Sequence, residues 1–389
     1  MIPLRYNVRS LLVRRATSLA TLFGVALVVF VLAAGMMLTN GIDKTLTLSG
    51  SPDHAIVLRK GADGELSSSI ETNALANVLS APGVKKNAQG KPIGAGETVV
   101  VILGEKVGTV GELSNALVRG VTDNVFEIRP GATIVEGRKA QPGTDEVIIG
   151  KQIRGRFKGM DLGQSFDIKK NRPVKVVGVF AENGSSFESE IWADIETVRS
   201  SFGREGSVTS ATVTLESPSK HDVFKAALEQ DKRLGLEVLR EPTYYEKQSE
   251  MTSMLMAVLS WLISGFFIVA AVIGAFITMN TAVAHRQREI GTMRALGFSR
   301  KAVMLSFTLE CIFLAVAGAC IGVAAAYFMS FVEFSVINWA SWSEIVFKFE
   351  MNANVVVTSV IVGGVTGLFG GIIPAFRASR LRPIDALRG

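Results

Sequence analysis

At 389 residues, 48% of them hydrophobic and with a net charge of +6, the chain has a mean hydropathy of +0.34, too apolar for an average soluble enzyme. Its three histidines (His54, His221, His285) are scattered without HExxH spacing, and no GxxxxGK[ST] phosphate loop occurs, which argues against a zinc hydrolase and against a nucleotide-hydrolysing chain. The basic excess falls beside apolar runs, so membrane topology accounts for it without nucleic acid.

Residues 1–15 set Leu4, Val8, Leu11 and Leu12 on one helical face and arginines on the other, the pattern of a cytoplasmic interfacial helix. Ala16–Ile42 is uncharged. It exceeds the about 7–15 residues of a signal h-region, so it reads as a retained first span. Residues 251–284 and 351–376 are likewise uncharged, and 302–332 is broken only by Glu310. A bilayer core needs about 20 apolar residues in a helix, which gives four transmembrane helices. Lys and Arg cluster in the N-terminal tail, in the 285–301 loop and in the 377–389 tail, so these three segments are expected on the cytoplasmic side of a bacterial inner membrane. Residues 43–250 and a short 333–350 link then lie outside.

Between the first two spans the periodicity changes to that of a folded domain. His54–Lys60 reads as a strand, Glu71–Leu79 as a helix and Thr98–Leu103 as a strand. The pattern returns at Ser210–Leu215, Lys220–Glu229 and Leu236–Arg240. Residues 107–205 between them look mostly β, with strands near 135–138, 146–150, 165–168 and 174–180. The expectation is an α+β domain, split in sequence around a β-rich insertion. It contains no cysteine; Cys311 and Cys320 both lie in the third span and point to nearly opposite sides of it. The polar stretches 40–48 and 244–254 read either as helical extensions of the spans or as flexible linkers.

The 285–301 loop joins two apolar runs by a short, charged path. Ile290, Met293 and Leu296 recur every third residue, while Arg286, Arg288, Glu289 and Arg294 take the remaining surface. Such a helix can lay its apolar side on lipid or in a partner's groove. Gly291 and Gly297 sit where close approach to a partner would be useful. Glu310 lies roughly 12 Å into the third span at 1.5 Å per residue. An acid there calls for a basic partner or water, either an arginine of the cytoplasmic face or a proton relay. The fourth-span glycines Gly363, Gly364, Gly367, Gly370 and Gly371 fit close helix packing.

Arg288-Glu289-Ile290-Gly291, Arg294-Ala295-Leu296-Gly297, Arg300, Val303, Phe307 and Glu310 together resemble the signature of a family of ABC-transporter permeases. That family includes the macrolide-exporter permease, the lipoprotein-releasing permeases and the cell-division permease FtsX. Pro374-Ala375, Ala378-Ser379-Arg380-Leu381, Pro383 and Ala386-Leu387-Arg388 resemble its C-terminal ending, and Arg14 and Ser18 its first span. The resemblance covers residues 1–40 and 250–389.

It implies four helices per protomer, a porter-like α/β domain with a β-rich insertion, and a homo- or heterodimer of permeases. It also implies separate ATPase subunits that bind ATP and Mg, since no ATPase domain is expected within this chain. No cofactor or metal is expected here and no residue is expected to be catalytic. The coupling element maps onto Arg286, Arg288, Glu289, Ile290, Gly291, Arg294, Leu296, Gly297 and Arg300. A mechanotransmission mode follows: ATP-driven movement of the long helices reshapes the outer domain, for export or extraction of substrate from the outer face. A periplasmic adaptor, an outer-membrane channel and membrane lipid are further expected partners. The alternative is an FtsX-like regulator that activates a cell-wall hydrolase without transport.

Overall fold

The computed structural model describes residues 15–339 and 341–381. The interfacial helix expected over 1–15 (Arg15 apart) and the tail motif from Arg382 onward lie outside the described residues.

In chain order the elements are α1 (Arg15–Thr47), β1 (His54–Arg59), β2 (Ile70–Glu71), α2 (Thr72–Ser80), β3 (Gly94–Glu105), β4 (Leu113–Val121) and α3 (Val125–Ile128). Then come β5 (Thr133–Gly137), β6 (Glu146–Gly150), β7 (Ser165–Lys169), β8 (Arg172–Ala181), β9 (Glu190–Asp194) and α4 (Ile195–Phe202). β10 (Ser207–Val208), β11 (Ser210–Thr214), α5 (His221–Glu229) and β12 (Leu236–Arg240) complete that region. The chain ends with α6 (Glu241–Ala284), α7 (Gln287–Ala295), α8 (Arg300–Tyr327), β13 (Glu333–Asn338), β14 (Ser343–Lys348) and α9 (Ala353–Ser379). Contacts divide it into two units: a helical one of residues up to 41, 254–332 and from 348, and an α/β one of 42–253 and 333–347.

In the α/β unit a ten-stranded sheet runs β12-β1-β11-β3-β4-β9-β6-β8-β5, with β7 also on β8. β3 serves two halves: Gly94–Glu97 pairs with β11, and Thr98–Glu105 pairs with β4. One half is therefore built from both ends of the segment, its core made by Val57, Val213 and Val238 with Phe224 and Leu228 of α5. The other half is the inserted one, with Val118, Val147, Ile149, Val176 and Ile191 at its centre. This is the split α/β part with a β-rich insertion. β1 is apolar along nearly its whole length because both of its faces are buried. α4 is capped by Asp194, whose carboxylate accepts the N–H groups of Glu196 and Thr197, and it ends at Gly203 in the left-handed region. The stretch 333–350 is more than a connection: β13 and β14 form a two-stranded sheet, and Val346 N–H donates to Ser189 Oγ at 3.0 Å.

Among the described residues four helices, α1, α6, α8 and α9, are long and apolar enough to cross a membrane. The two stretches open to either a helical or a flexible reading are helical, since α1 continues to Thr47 and α6 begins at Glu241. Small residues set the spacing. A Cβ at Gly363 would lie 2.7 Å from Ala319 Cβ, one at Gly367 would overlap Ala315, and one at Gly371 would lie 2.5 Å from Cys311 Sγ. α9 therefore presses its glycine face on α8. Gly370 turns instead to Ala275 of α6, and Gly364 has only ordinary contact with Val316. Both cysteines are free.

Candidate coupling site

α6 ends at Ala284, and a short turn leads into α7 with Arg286 at its N-cap position. α7 spans only Gln287–Ala295. Gly297, at φ +91, reverses the chain, and Ser299 caps α8 by accepting the N–H of Ala302. The loop between two spans is thus a helix held at both ends by tight turns.

Its residues divide by direction. Arg286 turns inward and donates from Nη1 to Glu310 Oε2 at 3.0 Å, with both side chains under a tenth exposed. Its guanidinium lies 5.7 Å from the Phe307 ring centre, and Glu289 approaches its Nε at 3.9 Å. Of the two readings open for Glu310, the arginine pair is the arrangement found. Ile290 is fully buried in a cluster with Val283, Val303, Phe307, Ala375 and Ala378. Gly291 is buried, and Arg294 donates from Nη1 to the Phe298 carbonyl at 3.0 Å. Arg288, Glu289, Gly297 and Arg300 face outward.

Two expectations change. Leu296 does not continue the apolar stripe of Ile290 and Met293: the helix stops at Ala295, the periodicity lapses at the cap, and Leu296 is 74% exposed. Gly291 packs inside its own chain, so the outward small residue is Gly297, where an added Cβ would meet nothing within 4 Å.

A second charged cluster, which the sequence did not disclose, lies in the α/β unit. Arg119 of β4 reaches Glu65 at 2.7 Å, Glu97 at 2.6 Å and Glu190 at 2.7 Å. Arg129 reaches Glu241 at 2.9 Å and stacks on Phe187 at 3.9 Å, and Glu241 also takes His54 Nδ1 at 2.8 Å. Burial alone would push the Glu65 carboxyl up, but the Arg119 guanidinium outweighs it and holds Glu65 below the usual carboxylate range. Burial leaves Glu190 raised despite the same arginine. Half-buried Glu182 is pushed up to about 7, chiefly by burial. Ser210 Oγ and Trp192 Nε1 donate to Glu65 and Glu190, so the acids are hydrogen-bonded as well as paired. Among the described residues no group of His, Cys, Asp and Glu is arranged to hold a metal ion.

Four membrane-length helices with an α/β domain between the first and second define a permease of the ABC type. Residues 16–231 match the MacB-like periplasmic core domain, and 261–383 match the FtsX-like permease C-terminal region. The chain belongs to this family of MacB- and FtsX-type permeases. The ABC transporter permease YknZ of Bacillus subtilis, itself described as uncharacterized, is 26% identical over 99% of this chain and 96% of its own length. The macrolide export ATP-binding/permease protein MacB of Burkholderia pseudomallei is 29% identical over 70% of this chain. A probable export ATP-binding/permease protein of Pseudomonas fluorescens is 30% identical over 70% of it. The matched region spans 43% of the length of each of these last two.

Proposed function

We propose that this chain is the non-catalytic membrane subunit of an ABC transporter, coupled through α7 to an ATPase on a separate chain that binds ATP and Mg. The observation that carries this reading is the division within α7. Arg286, Ile290 and Glu310 anchor the helix inward, while Arg288, Glu289 and Arg300 stand outward on a rigid mount. A solvated loop needs no such mount. A surface that must transmit force to a partner does. The match to YknZ, a relative whose name calls it an ABC transporter permease, supports the permease part of this reading.

On this reading the protein is a multi-pass protein of a bacterial inner membrane with both termini cytoplasmic, and it works as a homo- or heterodimer. α6, whose most apolar stretch is only 11% buried against 33–39% for those of the other three helices, is the helix a second protomer would cover. ATP-driven movement passes along α1 and α6, whose residues belong to both units, to reshape the outer domain for export or extraction of substrate. A periplasmic adaptor and an outer-membrane channel would complete an export path.

The test is copurification of the ATPase with Glu289→Lys and Arg288→Glu. At exposed positions such reversals cost well under about 1 kcal/mol of stability, so the permease stays folded. In an ATPase contact each strands a partner charge, at about 2–5 kcal/mol. Loss of the ATPase, or of its stimulation on assembly, is expected for both. Wild-type copurification and turnover in both would overturn the assignment.

A further inference from the structure

Within the α/β unit lies a groove of about 560 Å³, a size suited to a drug-like molecule. Its floor is the face of the β1–β12 pair, where Leu58 stands opposite Glu237. The first turns of α6 contribute Lys247 and Thr252 to one wall, the loop before β2 contributes Asp63 to another, and the turn between β13 and β14 overhangs with Trp339 and Trp342.

The two indoles are 47% and 55% exposed and meet edge-on at 5.5 Å. Trp342 sits at φ +49, a left-handed conformation that bulky side chains rarely adopt, and Asn115 Nδ2 donates to its carbonyl at 2.5 Å. A large aromatic pair held outward in a strained turn does nothing for the core, and strain of this kind gathers at ligand clamps. The charge pattern names the guest. Asp63 and Glu237 line the groove with no ion pair among the described residues, against one cation, Lys247. Thr252, 2% exposed, also lines it, and its hydroxyl has no hydrogen-bond partner among the described residues. Indole faces and unpaired carboxylates attract the same thing, a positive charge carried on an apolar body.

We propose that this groove binds a hydrophobic organic cation, its charge beside Asp63 and Glu237 and its apolar body against Trp339 and Trp342. The assignment goes beyond the permease reading and does not depend on ATPase coupling, so each can fail alone.

Tetraphenylphosphonium and tetraphenylborate, a cation and an anion of nearly the same shape, separate charge from greasiness. Binding is measured by equilibrium dialysis to the full chain in nanodiscs, against empty discs of the same lipid. The expected result is saturable uptake of the phosphonium, one per chain, with no excess of the borate. Glu237→Gln, Asp63→Asn and Trp342→Ser should each weaken it by roughly tenfold, with an unchanged thermal transition showing that the fold survives. Trp339→Leu serves if Trp342→Ser misfolds. Excess uptake of the anion, equal uptake of both ions, no uptake beyond empty discs, or binding that ignores the carboxylate variants would each overturn the proposal.

Discussion

In the helical unit Arg286, at the N-cap of α7, meets Glu310 of α8 at 3.0 Å, and Ile290 packs beside them. In the α/β unit Arg119 meets Glu65, Glu97 and Glu190, carried by a loop and two different strands, and Arg129 adds Glu241. Both arrangements bury charge, but only the first can be exchanged as a unit. A pair can be replaced by two apolar side chains of similar volume at little cost, whereas a hub shared by several acids strands the rest whenever one partner is exchanged. The pair fixes one short helix. The network ties together the two halves of a sheet that a single strand, β3, already shares.

Arg119→Met should have the largest effect, because three buried carboxylates lose its charge at once and only Glu97 keeps a second arginine, Arg129 at 3.6 Å. The loss should be at least about 3–5 kcal/mol, a fall in the unfolding temperature of the α/β unit of roughly 6–20 °C. Near-UV circular dichroism reports it through Trp192, which stacks on Phe180 at 4.0 Å and donates to Glu190. Adding Glu190→Met should recover little, since Glu65 stays stranded and Glu97 keeps only its longer contact to Arg129. Full recovery would reduce the network to one dominant pair.

Arg286→Met comes next. Only one acid, Glu310, loses its arginine here, so the loss should sit near the lower end of that range, about 3 kcal/mol. Here the double variant Arg286→Met with Glu310→Met should regain most of it. Both are read as the thermal transition of the full chain in nanodiscs. If the double variant is no better than the single, the pair has further partners and the contrast between the units weakens.

The same contrast explains what could be read in advance. Glu310 stood out because a lone acid in an apolar run demands a partner, and the basic segment beside it offered few choices. β1, α2, α5 and β12 showed themselves through ordinary periodicity. β4 and β9 did not, and they are the strands that carry the network: Arg119 interrupts LSNALVRGV, and Glu190 opens EIWAD, each looking like a solvent-facing residue. Buried charge mimics exposed charge in a one-dimensional pattern, and its partners come from Glu65 to Glu241, beyond any local window. In α7 the helix and the apolar character of the Ile290 face were legible, but not that Ile290 packs inside its own chain instead of on lipid or a partner. The phase of Leu296 was not, because a cap ended the helix one residue earlier. The Trp339–Trp342 overhang was hidden in what looked like a plain link, since its place depends on β4 and Ser189 from distant sequence.

The smallest expected effect is the pH dependence of Glu182 at the network's margin. Burial lifts its carboxyl to about 7 from an ordinary 4.5, opposed by the Arg129 charge and the Ser185 hydroxyl and assisted by Glu241 and Glu190. Between roughly pH 4.5 and 7 the folded chain holds a proton here that the unfolded chain has released, so stability falls as pH rises through that window and levels off above it. Glu182→Gln cannot ionise and should lose this slope. The two proteins should match near pH 4.5, and the variant should gain to about 1–2 kcal/mol by pH 8, less than the full shift implies because the residue is only half-buried. Unfolding temperatures at pH 5, 6, 7 and 8 decide the matter. Curves that run parallel would mean that Glu182 stays ionised throughout and that Arg129 neutralises it as part of the network, which would extend the hub by one more acid.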